Sequence, residues 1–150
     1  MERRQLDFHD FDSVAADIDR LHKNGYTKVG QWELCQACDH LSNVMRMSME
    51  GFPFKAPWYI HLLAPLLVKG RMFKTRRMRE GFQAPSAVMP SGGGDEKTSV
   101  NKCKDLLKRV RDYPGEFEPN PFFGKLTADE WRQHHLIHSA HHLSFLIPKG

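Results

Sequence analysis

Histidines are concentrated near the C-terminal end of this 150-residue chain. Five of its nine histidines lie between positions 134 and 142. Residues four apart in an α-helix lie one turn apart on the same face, with Cβ atoms about 5–6 Å apart. His138 and His142 have this spacing, as do His134 and His138, so either pair could direct two imidazoles at one divalent cation. The pattern therefore predicts a metal site, with His138 and His142 as its strongest ligands.

Apolar neighbours indicate which of these pairs faces the interior. Trp131 and Leu143 mark the buried side of the segment, and His138 and His142 are expected to lie deeper in the core than His134. His134 is then either a partner of a ligand or an exposed residue. A lone histidine pair at this spacing is more often a surface or hydrogen-bonded core feature, but five histidines in nine residues favour the metal site.

A third ligand has to come from another helix, because a catalytic zinc-type site normally has three protein ligands and one open position. His40 is the best candidate, since it lies mid-helix among apolar neighbours, and His61 is the next. Taken alone, His40 is equally well interpreted as a buried neutral histidine that donates to a carbonyl. His9 and His22 lie near helix ends and are predicted to be exposed.

Helical periodicity supplies the elements that must position these side chains. Apolar residues recur at three- and four-residue spacing in four segments, and Thr127 and Glu130 form a capping box before the last of them. The predicted helices cover residues 10–25, 31–49, 95–112 and 128–146. Without a credible run of alternating strand residues, the sequence predicts an all-α bundle that forms a single domain over residues 1–150.

The middle of the chain is harder to interpret. Residues 58–68 could form a short buried helix, although Pro65 would kink or end a regular one. Within it, Trp58 and Tyr59 are expected to pack in the core rather than to wall the site. Residues 81–94 predict a long irregular connection between the second and third main helices. Such a loop either borders a site or is mobile, and the second interpretation is slightly favoured.

Charge and cysteine content limit the function classes. The net charge of +4 is a mild basic excess that favours anionic small molecules, and the basic residues 69–79 are better interpreted as a solvated face or a site mouth than as a nucleic-acid surface. Three cysteines make a poor disulfide framework, so Cys35, Cys38 and Cys103 are predicted to be reduced thiols. Cys38 is expected in the core, which makes a redox role for the Cys35–Cys38 pair the weaker interpretation.

The chain shows no targeting or membrane signal. No apolar run approaches the roughly 20 residues that span a bilayer, and no apolar stretch follows the charged start of the chain. We therefore expect a cytoplasmic protein with no membrane partner.

Two short motifs resemble a known family. Residues 32–41, WELCQACDHL, and residues 138–143, HSAHHL, are similar to the DinB/YfiT-like superfamily of metal-dependent proteins. The tail over residues 123–145 looks most like an uncharacterised bacterial domain-of-unknown-function subfamily of that group. The resemblance implies a four-helix bundle in which one histidine of the second helix and two of the last bind a divalent metal, most often nickel or zinc. Those residues are His40, His138 and His142.

The expected function follows from both arguments. Members of the superfamily with assigned activity include thiol S-transferases and isomerases that use low-molecular-weight thiols. A bound metal lowers the pKa of a bound water or thiol, so a thiol S-transferase or a hydrolase acting on a small molecule is predicted. Glu33, Asp39 and His141 are the candidates for a nearby base, and a homodimer is a further expectation. The alternative is a non-catalytic metal-binding or interaction module.

Overall fold

Helices form most of the structure, a computed structural model that describes residues 1–80, 84–90 and 94–150. In chain order the elements are α1 (Phe11–Asn24), β1 (Tyr26–Lys28), α2 (Leu34–Glu50), α3 (Trp58–Ala64), a π-helical segment (Pro65–Lys69), α4 (Gly70–Thr75), a 3-10 turn (Ser86–Val88), α5 (Glu96–Asp112), α6 (Ala128–Leu143) and β2 (Leu146–Pro148). The prediction of a mainly α-helical protein is confirmed.

Side chains cap the first turns of α1 and α6, the second of them at the capping box that the sequence predicts. The carboxylate of Asp10 accepts from the backbone N–H of Ser13 at the start of α1. The hydroxyl of Thr127 accepts from the N–H of Glu130, whose carboxylate accepts from the N–H of Thr127 in return. This capping box satisfies donors that the first turn of α6 would otherwise leave unpaired. The box therefore marks where α6 begins.

The four long helices bury their apolar faces in one cluster. Helix α2 packs against both α5 and α6, and α1 packs against the same two helices. The cluster draws residues from Phe8 to Leu146, and Trp131 of α6 is its largest fully buried side chain. Because α2 and α6 meet side by side, a side chain in the middle of one can reach the other. This packing brings together residues about 100 positions apart.

The C-terminal end departs from the prediction. Helix α6 ends at Leu143 instead of near Leu146, and β2 pairs antiparallel with β1, with Thr27 opposite Ile147. The carbonyl of Phe145 accepts from the N–H of Val29, so backbone groups released by the helix end are satisfied by the returning chain. Strands of three residues are too short to produce an alternating pattern, which is why periodicity missed them.

The predicted buried helix over residues 58–68 is helical but not buried. Trp58 is 77% exposed and Tyr59 is also exposed, so neither packs in the core. As predicted, the regular α-helix ends before Pro65, at Ala64, and the chain continues from Pro65 with π-helical hydrogen bonding. Within the described ranges, no helix combines the length and apolar character needed to cross a bilayer.

The long connection before α5 is only partly described. Residues 81–83 and 91–93, which belong to the predicted irregular stretch, lie outside the described residues. Residues 84–90 are described, and Val88 is buried against Val44 and Met47 of α2. Residues 84–90 therefore border the histidine cluster. For these residues the prediction of a loop beside a site applies, although a mobile loop was slightly favoured.

Candidate metal centre

Three histidines from two helices meet between α2 and α6. The Nε2 atom of His138 lies 3.0 Å from Nε2 of His40 and 3.1 Å from Nε2 of His142. The candidate ligand atoms of all three lie within 4.8 Å of one another. Two nitrogens bound to one cation at about 2.0–2.1 Å, at angles between about 90° and 109°, lie roughly 2.9–3.4 Å apart. The two short separations fall in this range, so the cluster could hold a metal ion.

A backbone carbonyl decides which nitrogen of His40 carries its proton. Nδ1 of His40 lies 2.7 Å from the carbonyl oxygen of Val88, and a carbonyl can only accept. In the neutral ring the proton is therefore on Nδ1, and Nε2 presents a lone pair to His138. Metal-binding histidines commonly donate their second nitrogen to a carbonyl or carboxylate in this way, which fixes the ring and raises its basicity.

The two contacts of His138 cannot both be good hydrogen bonds between neutral rings. Because Nε2 of His40 has no proton, a hydrogen bond to it requires a proton on Nε2 of His138. That nitrogen then cannot accept from His142, and a single proton can be aligned with only one neighbour. Nδ1 of His138 is buried and has no hydrogen-bond partner in the described structure. One cation shared by the three lone pairs would satisfy all three Nε2 atoms.

Burial keeps the cluster in the form that binds metals. Desolvation lowers the pKa of His40 and lowers the pKa values of His138 and His142 well below the usual histidine value. The neighbouring imidazoles lower the pKa values of His138 and His142 further, because a second positive charge beside the first is unfavourable. The rings are therefore neutral near pH 7, as metal ligands must be.

Trp32 covers one side of the cluster. Its ring stacks on His142, with centroids 5.1 Å apart and planes 18° apart, and lies at the same centroid distance from His40. Trp32 is two residues before α2 and eight before His40, about two helical turns away. This spacing could have identified it as a neighbour of the site from the sequence. The carbonyl of Val88 gave no such signal, because a backbone acceptor does not depend on residue type.

His141 lies at the other side of His142. Their ring centroids are 4.9 Å apart, and Nδ1 of His141 lies 3.5 Å from a guanidinium nitrogen of Arg3. Burial and the charge of Arg3 lower the pKa of His141 to about 4, so its ring is neutral near pH 7. Of the three residues predicted as a nearby base, His141 is the one whose ring contacts a member of the cluster.

The other two predicted bases are held elsewhere. Glu33 pairs with Lys28 at 2.7 Å and accepts from the hydroxyl of Tyr26. The carboxylate of Asp39 lies beside Gly94, near the start of α5. Neither belongs to the group of converging ligand atoms found among the described residues.

The remaining histidines divide between core and surface. His61, the second candidate for the third ligand, lies in α3 and is not in the described cluster. His9 is exposed as predicted, but His22 is half-buried, with Nδ1 2.8 Å from a carboxylate oxygen of Glu96. The exposed interpretation of His134 is wrong, because it is as buried as His138.

The cysteines are free thiols, as predicted. Cys38 and Cys103 are fully buried and adjacent, whereas Cys35 is partly exposed. A hydrogen bond with the neighbouring Cys103, together with burial, raises the pKa of Cys38 well above its usual value. A protonated, buried thiol is a poor nucleophile, in keeping with a packing role for Cys38.

His134 predicts that acid destabilises the metal-free protein. Its Nδ1 is buried without a partner, and burial lowers its pKa to about 4. The unfolded chain, with a pKa near 6.5, binds the proton more readily, so stability is complete above about pH 6.5 and falls by about 1.4 kcal/mol per pH unit for each such histidine until its folded pKa is reached. Between pH 6.5 and 5, His134→Gln should remove about 2 kcal/mol of the wild-type loss.

Urea unfolding of the chelator-treated protein at these pH values measures the effect. His9→Gln, at an exposed histidine, is the matched control and should keep the wild-type pH dependence. An unchanged pH dependence in His134→Gln would contradict the assignment of this loss of stability to His134.

Comparison with known proteins identifies one family. The family model described as "Protein of unknown function (DUF1569)" matches residues 1–149, which include all three histidines of the cluster. Searches of curated proteins and of solved structures gave no match. The chain therefore belongs to the DUF1569 family of proteins of unknown function.

Proposed function

We propose that this protein is a metal-dependent enzyme whose divalent metal is held by His40, His138 and His142. The observation that carries the proposal is the grouping of three histidine nitrogens within 4.8 Å of one another, with two Nε2 separations of 3.0 and 3.1 Å that neutral rings cannot both use as hydrogen bonds. Spacing along α6 alone accounts for two ligands. The packing of α2 on α6 supplies the third ligand, His40. The carbonyl of Val88 holds the ring of His40 so that the Nε2 lone pair faces the histidines of α6.

The donor set fits nickel and zinc, the two metals that the family resemblance implies. Three imidazole nitrogens suit zinc, copper, iron and nickel, whereas magnesium and calcium prefer oxygen ligands. In the part of the chain that the structure describes, the converging group contains no carboxylate. Three protein ligands also leave room for water or substrate, which is typical of a catalytic rather than a structural site.

A DinB/YfiT-like bundle is the fold that we infer for this arrangement. Its support is the order of the elements: four long helices share a core, the second of them carries His40, and the last carries His138 and His142. This is the order that the resemblance of residues 32–41 and 138–143 implies. The short β1–β2 pair closes the end of the structure beyond the site and leaves this order unchanged.

Transfer of a low-molecular-weight thiol to an electrophilic small molecule is the reaction we favour, with hydrolysis as the second. A divalent metal lowers the pKa of a bound thiol or water toward neutrality. In the transfer, a sulfur–carbon bond forms, the leaving group departs with its electron pair, and the thiol proton passes to a base. His141, whose neutral ring contacts His142, is the residue that we assign to accept that proton.

Metal loading tests the ligand set. Purified protein is equilibrated with Ni²⁺ or Zn²⁺ and freed of excess metal, and its metal content is measured by elemental analysis. We expect about one ion per wild-type chain and a nearly complete loss in His40→Ala, because two ligands on one helix hold a metal far less tightly than three. His61→Ala is the matched control and should bind as the wild type does. Stoichiometric metal in His40→Ala would exclude the three-histidine site.

Activity separates the enzyme from a non-catalytic metal-binding module. Metal-loaded protein is incubated with low-molecular-weight thiols and an electrophilic aryl halide, and loss of free thiol and release of halide are followed together. The enzyme predicts equal amounts of both, absent in His40→Ala. Two results together would favour the non-catalytic module. The protein would bind stoichiometric metal whose non-protein ligands do not exchange, and it would turn over none of the thiols or esters tested.

A further inference from the structure

An apolar stripe on the helical segment after α2 faces outward. We define the apolar stripe as the six exposed residues Trp58, Tyr59, Leu62, Leu63, Leu66 and Leu67. They occupy two neighbouring rows at four-residue spacing, so they form one continuous face. Leu66 is 76% exposed and Leu67 is 69% exposed, and α3 contributes no buried residue. The helix therefore presents its most apolar face to the surroundings.

Such a face indicates a docking surface. Single exposed leucines are common on proteins, but contiguous apolar patches of several large side chains mark surfaces that contact another protein or a membrane. Apart from Met1, the large hydrophobic residues that are exposed in the described structure are the stripe and the adjoining Val68. The exposure is thus concentrated in one helical segment instead of being spread over the surface.

The charge around the stripe identifies what covers it. Between Glu50 and Glu80 the chain has seven lysines and arginines and no aspartate or glutamate, although the whole chain carries a net charge of only +4. Lys69 pairs with Glu130, and Arg76 pairs with Asp7. Three exposed basic residues flank the stripe, Lys55 before its first residue and Arg71 and Lys74 after its last. Both ends of the stripe therefore favour a negatively charged partner.

We propose that the apolar stripe docks on the surface of a membrane that contains anionic lipids, with the helix parallel to that surface. A second copy of the chain fits less well, because antiparallel pairing of two stripes would bring Lys55 of one copy toward Arg71 and Lys74 of the other. An anionic leaflet accepts the leucines between its acyl chains and the basic residues at its headgroups. Trp58 and Tyr59 suit the boundary between these layers.

A docking helix of this kind needs no membrane-spanning length. The prediction of no membrane partner came from the lack of a long apolar run, and that reasoning excludes crossing a bilayer but not lying on one. The stripe shares no residue with the three-histidine cluster, so the proposal stands whether or not the cluster binds a metal.

Vesicle flotation with the full chain tests the proposal. Vesicles of phosphatidylcholine alone are compared with vesicles that also contain phosphatidylglycerol. We expect binding to the anionic vesicles at least tenfold tighter than to the neutral ones. Raising the ionic strength from about 0.1 M to about 1 M should weaken it, because the Debye length falls from about 10 Å to about 3 Å.

Two paired substitutions separate the apolar and basic contributions. Leu62→Gln with Leu66→Gln, and Arg71→Glu with Lys74→Glu, should each weaken binding at least tenfold. All four residues are exposed, so thermal unfolding of these variants should resemble that of the wild type. The matched control is Lys102→Glu with Lys108→Glu on the exposed side of α5, which changes the net charge equally and should leave binding unchanged.

Three results would overturn the proposal. The first is absence of flotation with anionic vesicles. The second is an equal loss of binding in the α5 control, which would mean that net charge alone attracts the protein. The third is a wild type that binds no vesicles but forms a dimer in light scattering, where Leu62→Gln with Leu66→Gln dissociates the dimer. That result would assign the stripe to a second copy of the chain.

Discussion

Replacing His138 with leucine should abolish metal binding and leave the metal-free protein at least as stable as the wild type. His138 is the central residue of the cluster, because its Nε2 contacts both other Nε2 atoms. A metal ion that binds only the folded state stabilises that state by about 2.7 kcal/mol when its free concentration is 100 times its Kd. The wild type should show this gain with Ni²⁺ or Zn²⁺, and His138→Leu should show none.

The expected stability of metal-free His138→Leu has a separate physical reason. His138 is buried, Nδ1 has no hydrogen-bond partner, and its neighbours disfavour protonation. A buried polar ring with unsatisfied nitrogens costs free energy that a leucine of similar size does not. Under the proposed ligand set, the ring that would bind the metal lowers the stability of the metal-free protein.

Urea unfolding with and without metal measures both effects. His61→Leu is the control, because His61 lies outside the described cluster and the metal-induced gain should persist. A metal-induced gain in His138→Leu would contradict the proposed ligand set. A loss above about 2 kcal/mol without metal would instead mean that His138 stabilises the core through contacts of its own.

Trp131→Ala should cost about 3–5 kcal/mol of unfolding free energy, the usual range for removing a large aromatic side chain from a core. Trp131 is 0% exposed, and its indole N–H donates to the carbonyl of Glu118 at 2.9 Å. Its ring stacks on Phe52 and on His135. The truncation therefore leaves a cavity, an unpaired carbonyl and an unsupported histidine ring.

Trp58→Ala is the matched control for this measurement. The same substitution at a residue that is 77% exposed should change the unfolding free energy by less than about 0.5 kcal/mol. Equal effects at the two tryptophans, measured by urea unfolding of both variants, would show that the helix from α3 to α4 packs inward and would contradict its described orientation.

Helix α6 carries both His138 and Trp131. Helix α6 buries Trp131 and Leu143 in the core, yet it also buries three of its five histidines and half-buries the other two. Its apolar residues are therefore not confined to one side. A helix that buries polar rings so densely needs strong packing at its start, which the capping box and Trp131 provide.

Local sequence rules were sufficient for the long helices. The capping box of Thr127 located the start of α6, and regular apolar spacing located the bodies of all four, because capping and amphipathic periodicity depend on residues only a few positions apart. The same short-range geometry makes His138 and His142 neighbours on any regular helix that contains both. The position of His40 in the middle of a helix ranked it above His61, and the resemblance to a known family implied the same choice.

Tertiary structure decided how these elements meet. Three contacts of the site join segments that are far apart in sequence. His40 contacts His138, the carbonyl of Val88 orients His40, and Trp32 covers His142. The outward direction of the apolar stripe also went against the local pattern, which predicted a buried helix. Helical spacing fixes which residues share a face, but only the packing of one helix on another determines what that face contacts.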